Sequence, residues 1–296
     1  MGNILTKQFY RQRKDFEDSC AGRDAGLTFP EGVICSTDIA YADDGIKAHM
    51  LDIYRPEDSQ EKILPVIINV HGGGLIIGNK EFNRYFCALL CKKGFLVYSI
   101  EYRLIPDCLI YDQIADVFIA MDYIKERLAA DGGDSSHVYM AGDSGGACLI
   151  TYANAIQNST NIARAANVTP SGLRINALGL ISGIFYTSRF DKIGLFLPKY
   201  LYGRDYKKTP FAKYVNPENR ELLNSLAPVW LVTSHNDFLR RYTTDFEKAL
   251  TRAEREHELV VFPKNKKLTH AFSVFEPFLP ESSAVIDMMV EYLRKF

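Results

Sequence analysis

The feature that most constrains this chain is the regular alternation of short apolar runs with longer amphipathic stretches. Residues 63–70 form an apolar run rich in β-branched residues, and residues 95–102 are mostly apolar, which is typical of strands covered on both faces. Between such runs lie stretches with apolar residues at helical spacing, such as residues 111–130. Strands that alternate with helices favour a mostly parallel sheet with helices on both faces, because each parallel connection needs a crossover.

Eight strand-like segments follow one another along the 296 residues. The sequence therefore predicts a single α/β domain over residues 1–296, with a mostly parallel eight-stranded sheet flanked by helices. Two segments fall outside the alternation: residues 1–32, and the aromatic-rich residues 184–218 between two core strands. We expect both segments to lie over one rim of the sheet as a small cap.

Overall charge argues against several classes of partner. The chain has 35 basic and 36 acidic residues and a net charge of −1. We therefore expect no charged surface that attracts nucleic acid or an anionic membrane. The N-terminal residues contain no apolar run long enough for a signal peptide or a membrane span, so we expect no stable membrane insertion. Gly2 and Thr6 fit the short myristoylation pattern, and whether Gly2 is lipidated stays open.

The cysteines indicate the compartment rather than a metal site. Their spacing matches no zinc pattern, and they are scattered along the chain: Cys20, Cys35, Cys87, Cys91, Cys108 and Cys148. A scattered set in a chain of this size favours a reducing compartment, so the sequence predicts a cytoplasmic protein.

One segment places a serine among three glycines, between a strand-like run and a helix-like run. Residues 142–146 read Gly-Asp-Ser-Gly-Gly. G-x-S-x-G in this context is the nucleophile elbow, a sharp turn that holds a strained serine clear of the sheet. The helix that follows directs backbone N–H groups and its positive dipole end toward the reacting carbonyl. The motif predicts that Ser144 is a nucleophile; the alternative is a glycine-rich turn with a bystander serine.

A second glycine-rich segment follows directly on an apolar strand. Residues 71–74 read His-Gly-Gly-Gly. Acyl transfer forms a tetrahedral oxyanion, and each backbone donor aimed at it contributes about 2.7–4 kcal/mol of stabilisation. We therefore predict an oxyanion hole made by the N–H groups of Gly73, Gly74 and Gly145. The alternative, a phosphate-binding loop, fits poorly because no Lys-Ser/Thr pair follows.

A serine hydroxyl is a weak nucleophile and needs a base. His270 follows the last predicted strand, and active-site groups gather after the carboxyl ends of parallel strands. Asp237 follows the strand-like residues 229–234 and is predicted to orient the imidazole; its alternative role is a helix N-cap. Asp245 lies deeper in that helix and is less suited. The chain order Ser144, Asp237, His270 is the order of α/β hydrolases.

Five motifs together resemble the hormone-sensitive-lipase-like branch of the α/β hydrolases: HGGG, EYRLIPD, GDSGG, HNDFLRR and THAF. The resemblance runs from about residue 33 to the C-terminus. It implies an α/β-hydrolase fold and a carboxylesterase acting on short acyl chains. It also places the catalytic serine, acid and histidine on Ser144, Asp237 and His270, and the oxyanion donors on the three glycines named above.

Two departures from that family's pattern affect the expected site. Gly145 stands where alanine is usual, which keeps the backbone donor but is expected to hold it less rigidly. YRLIPD replaces the commoner Tyr-Arg-Leu-Ala-Pro-Glu. Aromatic residues of the insertion are expected either to cover the pocket or to form the core of the cap: Phe185, Tyr186, Phe190, Phe196, Tyr200 and Tyr202.

The sequence thus predicts a serine carboxylesterase that acts on a small-molecule ester through an acyl-enzyme, with no metal and no cofactor. An amidase, formamidase or peptidase with the same triad is an alternative, because elbow chemistry does not distinguish leaving groups. A non-catalytic small-molecule receptor on the same scaffold would be expected to have a broken triad. The physiological ester, the acyl and alcohol preference and the oligomeric state, including a homodimer, stay open.

Overall fold

The computed structural model describes residues 2–59 and 61–296, with side chains described from Thr6 onward. Within that range eight strands form one sheet, in the order β1-β2-β4-β3-β5-β6-β7-β8. The strands are β1 Val33–Ala40, β2 Met50–Pro56, β3 Leu64–Val70, β4 Leu96–Ile100, β5 Gly133–Asp143, β6 Leu178–Ile181, β7 Val229–Ser234 and β8 His257–Phe262. β2 runs antiparallel to β1 and β4, and the other neighbouring pairs are parallel. The predicted fold class is confirmed.

Helices connect the strands and cover both faces of the sheet. They are α1 Gly2–Asp24, α2 Arg84–Lys92, α3 Ile110–Arg127, α4 Ser144–Asn158, α5 Thr160–Ala166, α6 Lys192–Phe196, α7 Pro198–Leu201, α8 Arg220–Asn224, α9 Arg240–Arg252, α10 Phe272–Phe275 and α11 Pro280–Leu293. Short 3₁₀ turns occupy Glu57–Ser59, Lys80–Asn83, Tyr206–Lys208 and Pro210–Val215. The helical pattern that continues to residue 257 in the sequence ends at Arg252, because Glu254 adopts a left-handed φ of 54° and the chain turns into β8.

Side-chain alternation along the central strand divides the core into two layers. On β3, Val66 and Ile68 pack in one buried cluster with residues of α3, α4 and α9. Ile67 faces the opposite layer, with α2 and α11. All three side chains are fully buried, because a parallel strand covered by helices has no solvent face. Continuous apolar runs in the sequence therefore mark the centre of the sheet.

α1 lies along the carboxyl ends of the central strands. Arg13 donates hydrogen bonds to the backbone carbonyls of Ile76, Leu104 and Ile105, in the loops that follow β3 and β4. Near its start, Phe9 packs edge-on against Tyr200 of the 184–218 insertion, with ring centroids 5.2 Å apart. Both segments outside the alternation therefore contact the same rim of the molecule. Their role as a cap, and the single-domain boundary, stay predictions.

The first turn of α4 makes an unusually close backbone approach to the end of β3. A Cβ atom added to Gly146 would lie 1.9 Å from the carbonyl oxygen of Val70 and 2.6 Å from that of His71. Real side chains do not tolerate such distances to backbone atoms. Glycine at this position therefore sets how near the helix that begins with Ser144 can come to the strand that leads into the 71–74 loop.

We predict that Gly146→Ala destabilises the protein by about 1–3 kcal/mol, since the added methyl must push α4 away from β3. The measurement is the free energy of unfolding in denaturant. Gly22→Ala in α1 is the matched control, because a Cβ added there meets nothing within 4 Å. That variant should keep or slightly raise stability, by about 0.5–1 kcal/mol. Equal stabilities for the two variants would contradict the close packing of α4.

Candidate active site

The predicted nucleophile occupies the strained turn that its motif requires. β5 ends at Asp143 and α4 begins at Ser144, whose φ is 47°. A non-glycine residue in the left-handed region costs on the order of 1–3 kcal/mol, so surrounding contacts must hold it. One such contact is the hydrogen bond from the Ile184 N–H to the Ser144 carbonyl, at 3.1 Å. The serine thus lies at the N-terminus of a 15-residue helix, at the carboxyl end of a central strand.

Asp237 and His270 are in direct contact, although 33 residues separate them. The Nδ1 of His270 lies 2.8 Å from Oδ1 of Asp237, the geometry in which the ring N–H donates to the carboxylate. Thr233 Oγ1 donates to the other oxygen of Asp237 at 2.9 Å, and the Leu239 N–H donates to the first at 2.8 Å. Asp237 therefore supports the start of α9 and holds the imidazole at the same time.

The charge state of Asp237 follows from these contacts. Burial alone would raise the pKa of its carboxyl, but the hydrogen bond and charge of His270 outweigh burial, and the pKa lies below its ordinary value. The carboxylate is therefore ionised beside the imidazole, as an orienting acid requires. On its other side, the ring of His270 packs against Phe238, with ring centroids 4.5 Å apart.

Ser144 and His270 lie at the same rim without a direct hydrogen bond between them in the described part of the chain. The segment after β6 joins their surroundings: Ile184 bonds to Ser144, and the Ser182 hydroxyl accepts from the Ala271 N–H at 3.2 Å. Catalytic hydrogen bonds are often long in free enzymes and tighten with substrate. The structure thus brings Asp237 to His270, whereas the bond from His270 to Ser144 stays a prediction.

The loop after β3 presents backbone groups toward α4. Gly73 and Gly74 have φ values of 104° and 61°, which only glycine adopts freely. A Cβ added to Gly145 would lie 3.1 Å from the Gly74 nitrogen and 2.8 Å from the Leu75 nitrogen. The space that an alanine methyl would need is therefore filled by the loop itself. Glycine at position 145 allows a close contact, which is the opposite of the looser arrangement expected from the sequence.

Leu75 holds the far end of this loop. It is fully buried and has a φ of 71°, a conformation that a side-chain-bearing residue adopts only under constraint. Its carbonyl accepts hydrogen bonds from the Ile105 N–H at 3.0 Å and from Nε2 of Gln113 at 2.9 Å. Two donors from the next strand–helix connection therefore fix the conformation of the predicted oxyanion loop.

Asp143, the residue before the serine, ties the two glycine motifs together. Its Oδ1 accepts hydrogen bonds from the Gly72 N–H and from Nδ2 of Asn83, both at 2.9 Å. Asp143 is 1% exposed, and within the described residues its Oδ2 has no hydrogen-bond partner. Burial raises the pKa of this carboxyl above its ordinary value, more than Asn83 and the nearby histidines lower it. Sequence reasoning treated this position as a spacer and missed its role.

His71, the first residue of the glycine loop, packs against Glu101 and Tyr102, which directly follow β4. Its ring stacks on Tyr102 with centroids 4.3 Å apart, and the Tyr102 hydroxyl donates to the His71 carbonyl at 2.8 Å. The Nε2 of His71 lies 3.3 Å from Oε1 of Glu101. Burial opposes the charged imidazole, but the Glu101 carboxylate outweighs burial and raises the pKa of His71 above its ordinary value. Glu101 and Tyr102 thus hold the first residue of the glycine loop in place.

The aromatic residues of the insertion divide into two groups. Three are buried and belong to the core: Phe185, Tyr186 and Tyr202. Tyr200 is half-buried against Phe9 of α1. Phe190 and Phe196 are 91% and 61% exposed, so they do not form the core of the insertion.

Within residues 2–59 and 61–296, no group of three or more His, Cys, Asp or Glu side chains is placed to hold a metal ion. No helix there is both long enough and apolar enough to cross a bilayer. The six cysteines are all unpaired.

Comparison with protein families assigns most of the chain to one family. A family model described as an alpha/beta hydrolase fold matches residues 67–273. This range contains every predicted site residue, from Gly73 to His270.

Curated relatives match over shorter stretches. A probable isoprenylcysteine alpha-carbonyl methylesterase from Oryza sativa subsp. japonica is 29% identical over 184 residues, covering 58% of this chain and 44% of the relative. Tuliposide A-converting enzyme b1 from Tulipa gesneriana, an amyloplastic protein, is 30% identical over 131 residues, covering 40% of this chain and 35% of the relative. The chain spans less than half the length of these relatives.

Solved structures are similar over nearly the whole chain. Esterase B from Lactobacillus rhamnosis superimposes with a TM-score of 0.92 at 22% identity, covering 100% of this chain and 96% of that chain. The same esterase inhibited by a C4-C4 SN3 tributyrin phosphonate gives a TM-score of 0.93 at 22% identity, with the same two coverages. A bacterial heroin esterase gives 0.74 at 23% identity, covering 97% of this chain and 91% of that chain. At such identities the similarity establishes the fold.

The contacts of Asp143 predict different outcomes for two substitutions. Asp143→Ala removes the acceptor for Gly72 and Asn83, so stability should fall by about 1–3 kcal/mol. Turnover of an aryl ester should fall up to about 10²-fold as the predicted oxyanion loop loosens. Asp143→Asn keeps an acceptor oxygen and should lose much less of both.

The pH dependence gives an independent check on Asp143. Its folded-state pKa is raised, so its stabilising contribution is complete below the ordinary value of 3.8 and is lost as pH rises toward the folded value. Asp143→Asn cannot ionise and escapes this loss. Its unfolding free energy relative to wild type should therefore increase as the pH is raised above the ordinary value of 3.8. A constant difference across that range would show that Asp143 is not buried as described.

Proposed function

Because the chain belongs to the alpha/beta hydrolases, and within them to the hormone-sensitive-lipase-like branch, we propose that it is a serine carboxylesterase that hydrolyses short-chain acyl esters. The family and fold implied by the sequence motifs are confirmed. The observation that carries the proposal is the 2.8 Å contact between Asp237 and His270, at the rim where the strained Ser144 begins α4.

In the proposed first step, the Ser144 Oγ attacks the ester carbonyl carbon while His270 Nε2 takes the hydroxyl proton. The carbonyl π electrons move to oxygen and form a tetrahedral oxyanion. Asp237 accepts the Nδ1–H of His270, which presents Nε2 as the base and stabilises the imidazolium once it forms. The ionised state of Asp237, favoured by its lowered pKa, supports this role.

The oxyanion would be bound by the N–H groups of Gly73, Gly74 and Gly145. A Cβ added to Gly74 meets nothing within 4 Å, so the loop has open space on that side. Donors held by fixed backbone need no reorganisation as negative charge develops on the carbonyl oxygen. The hydrogen bonds to Leu75 and Asp143 provide this rigidity from both ends of the loop.

Collapse of the tetrahedral intermediate completes acylation. The C–O bond to the alcohol breaks, His270 gives its proton to the leaving oxygen, and Ser144 is left as an acyl ester. Water then attacks that ester, with His270 again as base, and the acid is released.

The comparisons support the ester class of substrate. The matched relatives and neighbours include proteins named as a methylesterase, an esterase inhibited by a tributyrin phosphonate and a heroin esterase. From these names we infer only that the bond cleaved is an ester bond. The short-acyl preference, the alcohol and the whole protein's substrate are part of the proposal, and the amidase and peptidase alternatives are resolved by the assay below.

We predict that Ser144→Ala lowers turnover of p-nitrophenyl butyrate on the order of 10⁶-fold, because no other hydroxyl replaces the nucleophile. A fluorophosphonate probe should label the wild-type protein at Ser144 and leave the variant unlabelled. Measuring the matched anilide in parallel separates an esterase from an amidase. Wild-type turnover by Ser144→Ala would overturn the proposed chemistry, and faster cleavage of the anilide would overturn the ester assignment.

Asp237→Asn should lower kcat on the order of 10⁴-fold with little change in KM, since an amide cannot fix the same imidazole tautomer. Asp245→Asn is the matched control. Asp245 lies in α9, the helix that follows Asp237, and its carboxylate pairs with Arg189 rather than with His270. It should keep turnover within about threefold of wild type. A larger loss of turnover for Asp245→Asn than for Asp237→Asn would show that Asp237 is not the orienting acid.

A further inference from the structure

Several large apolar side chains are exposed in the insertion and just before α9. α6 has no buried residue, and its Leu195 and Phe196 are 57% and 61% exposed. Phe190, just before it, is 91% exposed, and Phe238, just before α9, is 73% exposed. We call these four residues the apolar rim. Large apolar side chains grouped on a surface usually mark an interaction site, because water disfavours their exposure.

Two contacts fix the insertion to the part of the chain that carries Phe238. The Tyr242 hydroxyl donates to Asp191 Oδ2 at 2.7 Å, and Arg189 pairs with Asp245. Phe190 therefore lies between two residues anchored to the first turns of α9, and Phe238 lies one helical turn before Tyr242. Since Phe238 also packs on the ring of His270, the apolar rim adjoins the predicted catalytic base.

The same segment is strongly basic. Residues 189–213 contain seven basic and two acidic residues, whereas the whole chain has a net charge of −1. Four of these cations are exposed and, within the described residues, form no salt bridge: Lys192, Lys199, Arg204 and Lys207. The net charge of −1 for the whole chain thus hides a local excess of positive charge in residues 189–213, which the composition did not predict.

We propose that the apolar rim and its flanking lysines dock on the surface of an anionic phospholipid bilayer. Phenylalanine and leucine enter the boundary between headgroups and acyl chains, while exposed basic side chains of the same insertion attract anionic headgroups. A second copy of the chain fits this surface poorly, because a two-fold contact would place two basic faces against each other. Docking here, taken together with the proposed esterase function, brings the predicted active site to esters held in the membrane. No helix within residues 2–59 and 61–296 is long and apolar enough to span that membrane.

The test is co-sedimentation of purified protein with phosphatidylcholine vesicles and with vesicles containing about 30% phosphatidylglycerol. We expect binding to the anionic vesicles, weak binding to the neutral ones, and release at about 0.5 M salt. Phe190→Ser/Phe196→Ser should weaken binding at least about tenfold. Lys192→Gln/Lys207→Gln should weaken it by about fivefold per charge removed.

Matched controls lie at the opposite end of the sheet. Ile63 is 74% exposed just before β3 begins, and Lys62 is its exposed neighbour. Ile63→Ser and Lys62→Gln remove the same kinds of side chain and should leave vesicle binding within about twofold of wild type. Absence of binding to anionic vesicles, or equal loss in the rim and control variants, would overturn the proposal.

The binding measurement does not depend on the proposed esterase activity, because it can be made with Ser144→Ala. Phe190→Ser/Phe196→Ser should cleave soluble p-nitrophenyl acetate at the wild-type rate, since neither side chain is part of the catalytic machinery. The same variant should lose activity on an ester embedded in anionic vesicles. Analytical ultracentrifugation tests the competing occupant: a dimer that the rim variant abolishes, with no vesicle binding, would assign this surface to a second copy.

Discussion

The structure depends on the backbone contact between the start of α4 and the end of β3. Gly146 allows the helix to approach the carbonyl of Val70, and Gly145 allows it to approach the amide of Leu75. Because backbone atoms make both contacts, the position of Ser144 relative to the glycine loop depends on backbone packing and not on side-chain rotamers. A nucleophile and its oxyanion donors must be placed within a fraction of an ångström, and backbone contact is the stiffest way to achieve this.

A layer of buried polar groups preserves this contact on the side away from solvent. Asp143 bonds to Gly72, Tyr102 bonds to the carbonyl of His71, and Gln113 bonds to that of Leu75. Each of these side chains forms a hydrogen bond with a backbone N–H or C=O group that lies outside regular secondary structure. A backbone group buried without such a partner would cost free energy, because it has lost its hydrogen bonds to water. The glycine loop is thus a rigid element, although it belongs to no helix or strand.

Local patterns predicted most of the fold, because burial on both faces of a parallel sheet leaves long apolar runs in the sequence. The candidate site residues were predicted from motifs whose spacing reflects backbone requirements, as with Ser144 and the HGGG segment. Asp143 was missed because its partners, Gly72 and Asn83, come from other segments, and a single carboxyl carries no periodic signal. The effect of Gly145 was misjudged for a related reason, since only the fold shows which backbone faces it.

The same limit explains why overall charge gave an incomplete view of the surface. A net charge is a sum over the chain, whereas a surface potential depends on where charges lie within about one Debye length, ~8–10 Å. Residues 189–213 gather basic side chains into one insertion beside exposed Phe190 and Phe196, and the acidic excess lies elsewhere. Insertions between core strands can carry such a bias because they contribute little to the core. The sheet therefore positions the candidate active-site residues at the carboxyl ends of its strands, while the insertion determines which external surface can bind next to them.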